Sequence, residues 1–177
     1  MVGVAAPLLD YAEPVLEASS CRRDRACFKA RLETAADLSP LLPYANARVK
    51  VLTHDPEEPV LVFRHEGYRV ALRPHEVAVG VVADLEEGRA AVRRVVDLLN
   101  DLWARRNEIP PDPRPRSLPP AMEIYRLLPR TNCRECGEPA CLAFAAKVAL
   151  GEAEPEDCPP LAADAEGLAR LHRLLEP

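Results

Sequence analysis

The sequence predicts an α+β chain: an antiparallel sheet covered by helices, plus a small, mostly helical domain after it. Three observations lead there. Alternating apolar residues between Arg48 and Val82 read as successive strands. A long amphipathic stretch follows, from Asp84 to about Arg106. Beyond a proline-rich segment the chain changes character and gathers Cys133, Cys136, Cys141 and Cys158.

The elements follow in order. Residues 6–18 read as a short helix carrying Leu8, Leu9, Val15 and Leu16, with Pro14 working against it. Residues 24–36 read as a second helix, on Ala26, Phe28, Leu32 and Ala35. Pro40 and Pro43 make residues 38–47 a loop. Strands are expected at 48–53, 60–65 and 68–72, with Gly67 as a turn, and 77–82 as a fourth strand or a helix entry. Asp84 is an N-cap with Glu87 at the reciprocal position. The helix behind it lays Val92, Val95, Val96, Leu99, Leu102 and Trp103 on one stripe, which would cover the sheet. Residues 110–120 hold six prolines in eleven positions and read as a semi-rigid extended linker. Short helices are expected at 121–128, about 142–150 and 161–175. The domain boundaries are therefore 1–108 for the α+β domain, 109–120 for the linker and 121–177 for the cysteine domain.

Bulk properties narrow the function classes. The 177 residues suffice for one compact domain and an appendage. A formal charge of −5, without a Lys/Arg run, argues against a nucleic-acid partner. No apolar run is long enough to cross a bilayer, and the first residues lack the basic start of a secretory signal. Six cysteines in such a chain favour a reducing, cytoplasmic setting, where thiols bind metals or pack in cores. No nucleophile motif, phosphate loop or His-rich zinc signature is present, so no catalytic residue is expected.

The four late cysteines have the spacing C-x2-C-x4-C-x16-C. Four soft thiolates able to converge on one point form a metal site, and iron–sulfur is the favoured content. Cys133 and Cys136 can grip from one turn, in which Gly137 permits unusual backbone angles. Cys141 falls at a helix N-terminus, whose N–H groups favour thiolate. The sixteen residues before Cys158 allow an out-and-back excursion walled by Phe144, Ala145, Val148 and Leu150. Pro159 and Pro160 fix the exit. Structural zinc stays open, although it favours paired C-x2-C knuckles and the second pair is missing here. Four thiolates favour [4Fe–4S] and are also able to hold [2Fe–2S].

This segment also resembles a known family. Leu128-Pro129, Thr131-Asn132-Cys133, Cys136-Gly137, Pro139, Cys141, Ala145, Gly151 and Cys158-Pro159 are similar to the short iron–sulfur domain of the corrinoid iron–sulfur protein large subunit. The same domain type occurs in the Rnf-complex B subunit. The resemblance covers about residues 120–160. It implies a [4Fe–4S] cluster on Cys133, Cys136, Cys141 and Cys158, as cofactor-binding and metal residues alike. It does not extend to the barrel and cobalamin domains of the first family, or to the membrane segment and further clusters of the second.

The expected function is a one-electron carrier or accessory redox subunit, serving a redox partner protein. The alternatives are an accessory role in corrinoid methyl transfer or metallocofactor assembly, and a zinc-stabilised interaction module. Cys21 and Cys27, around an arginine-rich turn, read as one packed and one exposed residue. His54, His65, His75 and His172 read as scattered surface or edge residues. The acidic balance around the late cysteines would steer toward a basic partner patch.

Overall fold

A computed structural model describes residues 7–18 and 28–176. The chain divides into two compact units, Met1–Arg116 and Ser117–Pro177.

The first unit is built on an antiparallel sheet with strand order β1-β2-β6-β5-β4-β3-β7. Its strands are β1 (Val15–Ala18), β2 (Phe28–Glu33), β3 (Lys50–Asp55), β4 (Val60–His65), β5 (Tyr68–Arg73), β6 (Glu76–Val82) and the short β7 (Arg116–Ser117). Strands β3 to β6 form the expected meander. Glu66 and Gly67 turn β4 into β5 at φ +47 and +85. Two successive left-handed residues match the right-handed twist of a hairpin. Apolar side chains alternate along the strands. Ala30, Leu32, Leu61, Phe63, Val70, Leu72, Val77 and Val79 face a core closed by α2 (Leu85–Ala104). The other face carries Lys29, Arg31, Arg69 and Arg73, with Arg31 bridged to Glu17, Glu33 and Glu76.

Helix α2 starts where the sequence says it should. The Asp84 carboxylate accepts the Glu87 N–H at 2.8 Å. Glu87 reaches back one residue further than expected: it accepts the Ala83 N–H at 2.6 Å and the Tyr68 hydroxyl at 2.8 Å. That charge-assisted bond pushes the Tyr68 hydroxyl above its ordinary range, and burial adds to the effect.

Two expected helices are strands. In the first, Pro14 leaves residues 7–14 irregular and the chain enters β1 at Val15. The chain bends at residues 8 and 9, where the Asn100 side chain accepts the Leu9 N–H and donates to its carbonyl, both at 2.9 Å. In the second, Phe28–Glu33 consists largely of good helix formers yet alternates strictly, with Ala30 and Leu32 buried and Lys29, Arg31 and Glu33 facing away. Pairing with β1 and β6 overrides local propensity there. The rest of that expected helix before residue 28 lies outside the described residues.

Residues 38–47 are not a loop either. A 3-10 turn at Ser39–Leu41 runs into α1 (Leu42–Asn46), burying Leu38, Leu41, Leu42 and Ala45. Pro40 and Pro43 sit in first-turn positions, where the missing N–H costs nothing.

The proline segment is partly strapped to the first unit. Asp112 N–H bonds the Pro43 carbonyl at 2.9 Å, and the Asn46 side chain donates to the carbonyls of Asp112 (2.8 Å) and Arg114 (3.1 Å). Buried His54 donates from Nδ1 to the Arg114 carbonyl at 2.7 Å. Arg114 and then Arg116 hold the Asp112 carboxyl far below the usual carboxylate range.

The second unit contains α3 (Ala121–Leu127), α4 (Cys141–Ala149), α5 (Pro159–Ala162) and α6 (Ala165–Leu175). The single helix expected over 161–175 is broken at Asp164, whose carboxylate leaves the helical path to accept the Gly167 N–H at 3.0 Å and cap α6.

Leu99 is fully buried beneath the sheet. Leu99→Ala should therefore cost the first unit about 2–5 kcal/mol, whereas half-exposed Leu142→Ala in the second unit should change stability by under about 0.5 kcal/mol. Urea unfolding followed by the single tryptophan, Trp103 on α2, reads the first effect directly.

Candidate metal centre

The second unit has a small apolar core, and two of the four thiols belong to it. Cys141 and Cys158 are buried, 8% and 5% exposed, among Ile124, Leu128, Phe144, Ala145, Val148, Leu161 and Leu171. Cys136 lies partly buried against that core, and Cys133 is exposed. All four are free.

Different pieces of backbone deliver them. Residues 129–140 have no helix or strand. The backbone is left-handed at Arg130, Asn132, Arg134 and Gly137, with φ +58, +51, +65 and +81. Only Gly137 adopts such an angle without steric cost. Asparagine tolerates it better than most residues, whereas Arg130 and Arg134 each cost about 1–2 kcal/mol, so the surroundings must hold those two there. The Gly137 N–H closes a turn on the Arg134 carbonyl at 2.9 Å, and Cys136 sits inside that turn.

Cys141 is the first residue of α4. The residue before it, Ala140, offers no capping side chain. Asn132 supplies the cap from outside the helix: its Oδ1 accepts the Cys141 N–H at 2.9 Å. In return, the Asn132 N–H donates to Cys141 Sγ at 3.4 Å. Cys158 arrives through a 3-10 turn at Pro155–Asp157, in which the Asp157 carboxylate accepts the Glu154 N–H at 2.8 Å. Its carbonyl accepts the N–H groups of Leu161 (3.0 Å) and Ala162 (2.8 Å), which starts α5. Pro159 and Pro160 fill first-turn positions that need no N–H.

Burial pushes the Cys158 thiol up from its ordinary range, and the neighbouring thiols of Cys136, Cys141 and Cys133 push the same way. A hydrogen bond from the Leu161 N–H opposes them. The other three thiols thus lie near enough to Cys158 to act on it electrostatically. Among the described residues, no three His, Cys, Asp or Glu side chains are gathered tightly enough to hold a single metal ion. The donor set is nonetheless made of soft thiols alone, without carboxylate or imidazole, and such a set suits an iron–sulfur group.

The other expected residues fall elsewhere. Cys21 and Cys27 lie outside the described residues. His54 is buried rather than at the surface, as part of the strap on Arg114. His75 donates to the Ala36 carbonyl at 3.2 Å, and His172 pairs with Glu156 at 2.7 Å. Part of the acidic surround is also spent internally: Glu138 pairs with Lys147, Glu156 with His172, and Asp157 with its own turn. Sequence reasoning missed the tie between Asn132 and Cys141. Its signal was an Asn directly before Cys133, together with a helix start that lacks a local cap.

Comparison with known proteins bears on this segment alone. Residues 128–160 match the family model described as "Putative Fe-S cluster". This segment is an iron–sulfur domain. The chain is 51% identical over 59 residues to the acetyl-CoA decarbonylase/synthase complex subunit gamma 1 of Methanosarcina thermophila, a match covering 32% of this chain and 13% of that protein. It is also 51% identical over 57 residues to the gamma subunit of Methanopyrus kandleri, covering 32% and 12%. With the gamma subunit of Methanocaldococcus jannaschii it shares 56% identity over 39 residues, covering 22% and 8%. The chain thus spans about an eighth, or less, of the length of these curated relatives. No solved structure matches it. Among the described residues, no helix is long and apolar enough to cross a membrane.

Burial and the raised thiol give an order of reactivity in the metal-free chain. Under anaerobic alkylation with iodoacetamide near pH 8, Cys133 should react first and Cys158 last, as read by peptide mass spectrometry. Raising the pH should speed the reaction of Cys158, because more of its raised thiol then ionises.

Proposed function

We propose that this protein is an iron–sulfur accessory subunit and one-electron carrier, and that Cys133, Cys136, Cys141 and Cys158 hold a [4Fe–4S] cluster. One observation supports the reading above the others. The iron–sulfur family match over 128–160 contains all four late cysteines, free among the described residues, two of them in the core of the second unit.

The cluster would supply one-electron redox chemistry when bound. The chain's own residues do the rest. Cys141 and Cys158 bring their side of the centre into apolar surroundings, where Phe144, Val148 and Leu161 exclude water. Cys133 is exposed, and through it an electron would enter or leave a bound cluster. Cys141 lies at the N-terminus of α4, where the helix dipole favours a thiolate.

The partner in this reading is a redox protein. Relatives named as gamma subunits of the acetyl-CoA decarbonylase/synthase complex favour a subunit of an assembly of that kind. The resemblance to the corrinoid iron–sulfur protein supports a corrinoid-related partner, with assistance to corrinoid methyl transfer as the second reading. The thiol chemistry suits a reducing, cytoplasmic setting. The first unit would dock on the partner or place the second unit against it.

Anaerobic reconstitution with ferrous iron and sulfide tests the proposal. The chain should bind about four iron and four sulfide, turn brown and bleach on reduction. Cys141→Ala should abolish stable loading. A colourless chain that takes zinc in preference, or a fully loaded Cys141→Ala variant, would contradict the assignment.

A further inference from the structure

Asn132 is a polar residue beside the thiols that the function above does not use. It is no ligand in the four-cysteine set, yet two hydrogen bonds join it to Cys141. The side-chain oxygen takes the Cys141 N–H at 2.9 Å, and the backbone N–H of Asn132 points to Cys141 Sγ at 3.4 Å. The first bond fixes the backbone of Cys141 and the second meets its sulfur. Together they close a ring between residues nine apart in sequence.

The residue type is what this ring requires. Its backbone has φ +51, a left-handed angle at which asparagine is several-fold enriched over most residues. That angle orients the N–H toward the sulfur. The short amide then reaches an N–H at the start of α4, the job of an N-cap that Ala140 is unable to perform. Glycine would accept the angle but has no oxygen. Alanine has neither the oxygen nor the tolerance.

We infer that Asn132 is a positioning residue for the iron–sulfur centre: it aims the Cys141 sulfur and, through the N–H···S bond, raises the reduction potential. The inference rests on the cluster reading given above. Reduction adds negative charge, which spreads onto the ligating sulfurs. A donor held on one of those sulfurs stabilises the reduced state over the oxidised one. Without the amide oxygen, nothing in the ring holds the 132 N–H on the sulfur, and that advantage is lost.

The test uses the whole chain, reconstituted anaerobically with iron and sulfide. Dithionite titration followed by electron paramagnetic resonance gives the potential, and iron release to a chelator gives retention. Asn132→Gly keeps the backbone angle and removes the oxygen. It should bind iron and sulfide, but with its oxidised-to-reduced ratio at fixed potential shifted about tenfold toward oxidised, about 59 mV for one electron. It should also release iron faster. Asn132→Asp keeps an acceptor for the Cys141 N–H and should restore wild-type iron retention. A glycine variant with the wild-type potential overturns the inference, as does an aspartate variant that releases iron as fast as the glycine one. If the wild-type chain takes up no iron and sulfide, the cluster reading falls and this inference with it. If the wild type loads and the variants match it, only the role of Asn132 falls.

Discussion

Cys141 and Cys158 serve the second unit twice, as thiols of the candidate centre and as members of its core. Few fully buried large side chains stand beside them there: Phe144, Ile124, Leu161 and Leu171. A unit of about sixty residues with so small a core sits near the limit of independent stability. On the proposed reading, closure around those sulfurs is the constraint on which the rest of the unit depends. The left-handed backbone at Arg130, Asn132 and Arg134, the outside cap on α4 and the prolines after Cys158 all serve to bring chain segments to one place. Metal binding and folding would then be linked, since a group that binds only the gathered thiols stabilises the gathered state.

The first unit obeys a different physics. Its sheet is covered by α2, and its stability comes from alternating apolar strands whose charged partners face the other way. The strap of Asp112, Arg114 and Arg116 ends it firmly: buried His54 and Asn46 donate to backbone carbonyls, and two arginines keep the Asp112 carboxyl ionised. What reads in sequence as a spacer of prolines is in part a fastening, because proline supplies rigid extended backbone whose carbonyls are free to accept.

Legibility in the sequence followed the range of the deciding interaction. The meander, the Asp84 cap and α2 were readable because alternation, turn residues and a helical stripe are local signals. Phe28–Glu33 was misread because Lys, Ala, Arg, Leu and Glu favour a helix, while pairing with β1 and β6, remote in sequence or outside the window, decides for a strand. The stretch around Leu9 failed for a similar reason, since both backbone groups of Leu9 are bound by Asn100, remote in sequence. At the candidate centre, the identity and spacing of the cysteines carried the chemistry. Their burial order did not show, because it arises from how the helices pack, nor did the Asn132 cap, because it reaches across an irregular segment to α4.

The central claim is that the four late thiolates close around one inorganic core. Native mass spectrometry of the anaerobically reconstituted chain tests it most directly. The account predicts a single added mass equal to four irons and four sulfides, less the protons displaced from the thiols, and loss of that mass in Cys158→Ala. An added mass of one zinc ion, or an unchanged mass under conditions that load other iron–sulfur proteins, would contradict it.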